Sequence, residues 1–382
     1  MISPEFLSAS ADEVMKLYAD LEEKIKVAMC RRLAKMKLAS SMTEWQAKVA
    51  VETGALLTDI DKYLKTYDKK TAALVRELFK IMTKRMVVTG KLSDNQAQLI
   101  AATVGYTAAV TDLSNLTRTS TATTEFMAVA NNMYIQASSG AFTYQEALKD
   151  AVDTMASRGL HTLAYGAREY NIEPMARTVL LTTMSQTAGR QSMANAADTG
   201  TDLVLVTAHE GARHTKNPPN PWSNHDEWQG KVYCIDGARD YVDADGNTKF
   251  APNLAEATGY GEVDGLCGIN CRHTFYPYFE GEADRYDQEE LDEMKAKDLT
   301  LDGKKVTRYE AEQAMRGAER QIRAWKRKAA CQEAAGVDDT AARYKIGEWQ
   351  RRRSDICKQT GLSPDYIREY IGGGEQPRAL GR

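Results

Sequence analysis

The sequence predicts an α+β protein, a predominantly helical chain with a small central α+β domain and a charged helical C-terminal region. Three observations carry that reading. Apolar residues recur at three- and four-residue steps through the first 200 positions, strand-like runs replace them after Thr201, and helical periodicity returns past Gly281 with dense charge. The expected division is a helical N-terminal region at 1–200, a compact α+β domain at 201–280 and a helical charged region at 281–382.

Each element has a local reason. Ser10-Ala11-Asp12-Glu13 is a capping-box pattern ahead of Val14, Leu17, Tyr18, Leu21, Ile25, Ala28, Met29 and Met36, which predicts a long amphipathic helix starting there. Further helices are expected over 43–67, 70–88 and 95–113, with Gly90 and the 117–124 stretch as breaks. Thr143-Tyr144-Gln145-Glu146 is another cap; Ala147, Leu148, Ala151, Val152 and Met155 follow on one face, and Gly159 serves as the stop. Pro174 suits the first turn of a helix through Arg177, Met184 and Gln191 to about Ala197, whose polar side chains predict packing against other protein. Leu203-Val204-Leu205-Val206 is a β-branched apolar run, 231–235 and 274–279 are strand-like, and Asp243-Ala244-Asp245-Gly246-Asn247 supplies turn chemistry.

Beyond Gly281, Met315, Ala318, Ile322, Trp325 and Ala329 form a helical seam, with Arg316, Arg320, Arg323 and Arg327 as a stripe beside it. A second helix is expected over 339–359, containing Arg351-Arg352-Arg353. Ser363-Pro364-Asp365 begins a short third one, and Gly372-Gly373-Gly374 opens a loose tail.

Composition narrows the function classes. With 382 residues, 43% of them hydrophobic, the chain can bury a core of two or three structural units. Met1-Ile2-Ser3-Pro4-Glu5 lacks the basic-then-apolar layout of a signal peptide, and no apolar run approaches the roughly 18 residues that span a bilayer, so a soluble chain without a membrane partner is expected. Six scattered cysteines make no disulfide framework and fit synthesis in a reducing cytoplasm. The net charge of −3 hides a division: 201–280 carries 6 basic against 12 acidic residues, while both flanks are near balance. An acidic centre argues against a nucleic-acid reader there.

Four of five histidines, three of six cysteines and two of five tryptophans fall between Thr201 and Phe279, in two islands. Burying such groups costs free energy unless each finds a partner, so they imply a metal or a dense hydrogen-bond network. His209 and His214 lie five apart, about 140° around a helix, which breaks the zinc-protease pattern. Cys267, Cys271 and His273, completed by His214 and His225, have spacing permitted for structural zinc; a polar network knitting loops together is the favoured reading. Asp226 and Glu227 beside His225 form a weak acid–base candidate, and no catalytic residue is assigned. Trp228-Gln229-Gly230 and the 265–268 glycines read as close-approach loop positions. Arg316, Arg320, Arg323 and Arg327, with Arg351, Arg352 and Arg353, are candidates for contact with DNA or an acidic partner, against a solvated helix face as the plainer reading.

The islands also carry a resemblance. Thr207-Ala208-His209-Glu210-Gly211-Ala212-Arg213, then His225 with Glu227-Trp228-Gln229-Gly230-Lys231, then Gly265-Leu266 and Asn270-Cys271-Arg272-His273 with Tyr276-Pro277, resemble the phage minor capsid protein family related to the Mu F-like head morphogenesis proteins. The likeness extends to Gly159, Tyr165-Gly166-Ala167-Arg168, Ala176-Arg177-Thr178, Tyr309-Glu310-Ala311-Glu312-Gln313 and Arg320-Gln321-Ile322-Arg323. It implies a non-enzymatic structural component of a tailed-phage head, assembled in the host cytoplasm and retained in the virion. The implied partners are portal protein, major capsid or scaffold protein, and phage DNA during packaging or ejection. Cys267 and the 217–220 insertion look specific to this chain, and the tail to Arg382 leaves no room for the toxin domain some relatives carry. The competing expectation is a zinc-dependent hydrolase or nuclease built on His209, His214, His225, Cys271 and His273.

Overall fold

A computed structural model of the chain describes residues 2–86, 95–118, 121–157, 160–164 and 168–372. The expected breaks at Gly90 and Gly159, the Tyr165-Gly166-Ala167 segment and the Gly373-Gly374 tail lie outside the described residues.

Helix α1 (Pro4–Lys35) begins six residues before Ser10. Ser3 is the actual cap: its hydroxyl accepts from the Phe6 N–H at 3.2 Å, and Pro4 fills the first helical position, where a missing N–H costs nothing. Ser10, Ala11 and Asp12 are buried inside the helix instead. Helix α2 (Met42–Met86) is a single rod where two helices were expected. No glycine or proline interrupts the 67–70 junction, and Trp45, Val49, Leu56, Ile60, Tyr67, Val75, Phe79 and Met82 keep one buried seam along it. At 1.5 Å per residue the rod is roughly 68 Å long.

Helices α3 (Asn95–Arg118), α4 (Ala122–Ser138) and α5 (Tyr144–Ser157) follow. Thr143 and Glu146 form the expected reciprocal cap of α5, with Thr143 N–H donating to Glu146 at 2.8 Å and Glu146 N–H to Thr143 Oγ1 at 3.2 Å. The hairpin of β1 (His161–Ala164) and β2 (Arg168–Asn171), unannounced by the sequence pattern, leads into α6 (Ile172–Thr199). These helices share one core with α1 at its centre, and Cys331 from the far C-terminal helix belongs to it. Each large apolar side chain buried there contributes roughly 1.5–3 kcal/mol.

The three strands read from the sequence form one antiparallel sheet in the order β4-β3-β7: β3 (Leu203–Val206) in the middle, β4 (Val232–Cys234) and β7 (Phe275–Pro277) at its sides. Its central strand is covered on both faces. Val204 and Val206 join Tyr233, Phe275, Leu254, Leu266 and Trp228; Leu203 and Leu205 face Val232, Tyr241 and Tyr278. Two-sided burial is why that run is apolar throughout and does not alternate. The polar face of α6 caps one edge of the sheet: Ser192 donates to the Phe275 carbonyl and Ser185 to the His273 carbonyl at 3.1 Å. This helix, with its many polar side chains, therefore packs against protein, as its composition predicted.

Short helix α7 (His225–Trp228) precedes β4. Strands β5 (Arg239–Val242) and β6 (Thr248–Ala251) form a hairpin around Asp243, whose carboxylate accepts the N–H groups of Asp245 and Asn247 at 3.0 and 2.8 Å. Helix α8 (Leu254–Thr258) lies between β6 and β7, and α9 (Gln288–Glu293) comes after β7. Strands β8 (Leu299–Leu301) and β9 (Lys304–Val306) make a second hairpin, turning at Asp302 and Gly303 with φ of 51° and 76°. Helices α10 (Arg308–Ala334) and α11 (Thr340–Thr360) then pair, sealed by Ala311, Met315, Ala318 and Ile356 at one end and by Ala329, Ala342 and Ile346 at the other. The short third helix is one 3-10 turn, Tyr366–Glu369.

Charged groups are built into this helical core. Lys26 is fully buried, 2.9 Å from both Glu125 oxygens and 3.0 Å from the Met155 carbonyl. Glu22 of α1 meets Arg327 of α10 at 3.0 Å and also accepts the Leu160 N–H at 2.9 Å. Glu173 of α6 pairs with Arg323 and lies 3.7 Å from Arg327. A buried carboxylate without its cation would cost several kcal/mol, so these pairs fix which turns of α1, α6 and α10 face one another.

Candidate functional site

The two islands meet beneath the sheet. His209 follows β3 in a tight turn, His225 opens α7, and Asn270 to His273 form the approach to β7. The loop carrying the second island folds back on itself: a Cβ at Gly265 would lie 2.0 Å from the Gly259 carbonyl oxygen, so no larger residue fits. Cys267 and Asn270 in that loop adopt φ of 60° and 59°.

His209 and His273 stack at 4.4 Å, and Trp228 and His225 approach His273 edge-on at 4.9 and 5.3 Å. Gln229 is the hub: its Oε1 lies 2.9 Å from His273 Nε2 and accepts the His209 N–H at 3.1 Å. His225 Nε2 donates to the Asp264 carbonyl at 2.8 Å, and His209 Nδ1 to the Glu210 carbonyl at 2.8 Å. The Asp264 carboxylate in turn accepts from Ser223, Asn220 and Trp222. Arg213 donates to the carbonyls of Ile269 and Asp264, and Arg272 to that of Gly211 at 2.9 Å. Asn270 accepts from Thr178 of α6 at 3.1 Å. Side chains of both islands thus tie three loops to one another and to α6.

Burial holds these imidazoles neutral. It lowers His209 to about 3 and His225 to about 4, helped by nearby Arg272 and Arg213 respectively, and takes His273 well below its usual range. Burial also raises the Cys271 thiol, which stays protonated 3.6 Å from His273 Nδ1.

Of the five expected metal ligands, the structure gathers three: donor atoms of His225, Cys271 and His273 lie within 4.8 Å of one another. Two are left out. His214 is on the surface, 2.9 Å from Asp226, because the loop after Arg213 turns away from the core. Cys267 is buried toward α6, against Gly189, because its positive φ directs it away from the imidazoles. Asp226 and Glu227 also diverge, Asp226 toward His214 and Glu227 toward Asn224, so they form no acid–base pair.

The arginine stripe is corrected more strongly. Arg327 is buried, Arg323 pairs with Glu173, Arg316 with Glu312 at 3.0 Å, Arg353 with Glu369, and Arg352 with Asp302 at 2.5 Å. Of these residues Arg320 and Arg351 are exposed; α5 and α1 pack against α10, where Arg323 and Arg327 meet carboxylates of α6 and α1, and Arg352 of α11 is half-exposed beside Asp302. Arg316, Arg323, Arg327 and Arg353 are thus engaged in ion pairs within the fold, and Arg352 in a surface pair with Asp302.

What the stripe does instead is line a cavity of about 400 Å³. Arg316, Arg320 and Arg323 of α10 face Arg177 and Thr178 of α6, with Arg368 from the 3-10 turn. His209, Gly211, Arg213, His225, Asn270, Arg272 and His273 line it from the island side, and Tyr309 and Gln313 with the apolar Met15, Pro174 and Leu181 complete the lining. Burial and the neighbouring guanidinium groups lower Arg316 to about 10. The island motifs, Ala176-Arg177-Thr178, Tyr309 to Gln313 and Arg320 to Arg323 each contribute to this one wall. Arg368 was not singled out: it lies far from the other segments in sequence, on an unremarkable charged turn.

The depressed imidazoles predict an acid-labile fold. The ordinary histidine value of 6.5 applies in the unfolded chain, so each ring's contribution is complete above that pH and is lost as pH falls toward 4, where the unfolded state takes up protons the folded state refuses. Glu173 and Glu319, raised to about 7 by burial, act oppositely between about pH 7 and 4.5. Comparing wild type with His209→Gln isolates one ring. The stability difference in urea melts should shrink by about 1.4 kcal/mol per pH unit below pH 6.5; a difference constant from pH 7 to 4.5 would show that His209 is not held neutral.

Known proteins share this architecture in sequence, although no solved structure matches it. A structural protein of Lactococcus phage LL-H is 28% identical over 363 residues, covering 88% of this chain and 91% of the relative. A structural protein of Lactococcus phage mv4 is 33% identical over 116 residues, covering 30% of this chain and 86% of the relative. The family described as phage minor capsid protein 2 matches residues 2–356, from the first turn of α1 through most of α11, and the chain belongs to that family.

Proposed function

We propose that the chain is a non-enzymatic structural component of a tailed-phage head, docked on the portal, with major capsid or scaffold protein as a second neighbour. The family match over residues 2–356 carries this reading. Its surface offers apolar contact points: Val51 and Leu57 of α2, Val104 of α3 and Ile135 of α4 are each more than half exposed on a helical region that already has its own core. No helix among the described residues is long and apolar enough to cross a membrane, so a protein partner is the natural cover. With most of the C-terminal arginines spent inside the fold, DNA contact in packaging or ejection has little support. Val51→Glu with Leu57→Glu should leave the thermal midpoint near wild type while sharply reducing the protein found in purified heads and its co-purification with portal protein. Wild-type incorporation of that variant, or absence of the native protein from heads, would sink the proposal.

The central cluster, in this reading, is held by hydrogen bonds and requires no metal. Zinc at about 2.0–2.1 Å from nitrogen and 2.3 Å from sulfur brings tetrahedral donors to roughly 3.3–3.7 Å of one another. The donors of His225, Cys271 and His273 are gathered only to within 4.8 Å of one another, and the described residues supply no fourth ligand to the group. Elemental analysis of the purified chain should find substoichiometric zinc, with unchanged melting after chelation; one zinc per chain, lost together with stability on chelation, would favour the metal-dependent alternative.

A further inference from the structure

The cavity between α6, α10 and the two islands has an unbalanced charge. Seven guanidinium groups line it and no carboxylate does. Four of the seven have carboxylates behind them: Arg177 meets Asp12 at 2.7 Å, Arg316 meets Glu312, Arg323 meets Glu173, and Arg368 meets Asp365 at 2.9 Å. Arg213 and Arg272 are oriented only by backbone carbonyls, which fix direction without neutralising charge. Arg320, at the rim, has no ion-pair partner among the described residues. Positive charge therefore exceeds negative charge around this small space: Glu312, the carboxylate that Arg272 feels, is already paired with Arg316, and Arg213 and Arg320 have no ion-pair partner among the described residues. Like charges at such range repel by an amount that grows as water is excluded, and a bound anion removes that cost.

We infer that this cavity is a binding site for a compact, multiply charged phosphoanion, held by Arg213, Arg272 and Arg320 with neutral donors from Asn270 and Tyr309. Arg213 and Arg272 are already set in place by their carbonyl partners, so of the three only Arg320 must be ordered on binding. Their planar forks match phosphoryl oxygens in pairs. The volume, about 400 Å³, suits a small ligand, whereas duplex DNA is read from open basic faces and cannot enter a pocket of this size. The phosphoryl group could be inorganic or the end of a mononucleotide, and both share this recognition chemistry. The inference does not depend on what the protein docks against in the head.

Calorimetric titration of the full chain with pyrophosphate, at fixed ionic strength and without divalent metal, tests it. One site per chain is expected. Arg320→Gln, an exposed change that leaves every internal pair intact, should weaken binding about tenfold or more. Arg351→Gln, equally exposed but outside the cavity, should not. ADP binding more tightly than pyrophosphate would place a nucleotide in the site, and equal affinity would place the inorganic anion there. Heat no greater than that for matched sodium chloride, or equal losses in the two variants, would overturn the assignment. Displacement of pyrophosphate by a duplex oligonucleotide with the same Arg320 dependence would overturn the choice of a small ligand.

Discussion

The buried ion pairs linking α1, α6 and α10 are the constraint on which the rest of the structure depends. Glu22 comes from the first helix, Glu173 from the sixth, and Arg323 and Arg327 from a helix at the other end of the chain. Apolar contacts alone tolerate sliding of one helix along another. A carboxylate shut away from water tolerates almost none, because moving one turn strips it of its cation. Once α6 and α10 are registered in this way, Arg177 and Arg323 stand across a gap that the histidine loops also line.

Those loops are rigid for a complementary reason. The sheet over them has only three short strands, too few to hold long connections by themselves. Gln229, Asp264 and the arginines at 213 and 272 satisfy the loop carbonyls and imidazoles from inside, and the stacked rings of His209 and His273, with Trp228 edge-on, exclude water from the bonds. The cluster therefore acts on the cavity by holding its arginines in position, a structural use of residues that elsewhere serve catalysis. That is consistent with membership in a family of capsid components.

Much of this was legible in the sequence where the signal is local. The seam of α5, the polar face of α6, the apolar run of β3 and the Asp243 turn all follow from side-chain spacing and turn chemistry within a few residues. Errors arose where local signals compete. Ser3-Pro4 outranked the Ser10 cap because proline is already suited to a first turn, and α2 continued through 67–70 because nothing there stops a helix. The β8–β9 hairpin turns on Asp302-Gly303, a local pair whose left-handed backbone suits these two residue types. The arginine stripe shows the deeper limit. Periodicity places Arg316, Arg320, Arg323 and Arg327 on one side of α10 but does not say what covers that side, and the covering carboxylates come from distant helices. The cavity, assembled from α1, α6, the loops of both islands, α10 and the 3-10 turn, has no local signature.

A double-mutant cycle on Glu22 and Arg327 tests the central claim most directly. Urea melts of Glu22→Gln, Arg327→Gln and the double variant should give a coupling of at least about 1.5 kcal/mol, with the double variant less destabilised than the two losses added together. Additivity to within about 0.5 kcal/mol would contradict the claim that these pairs set the register of the helices.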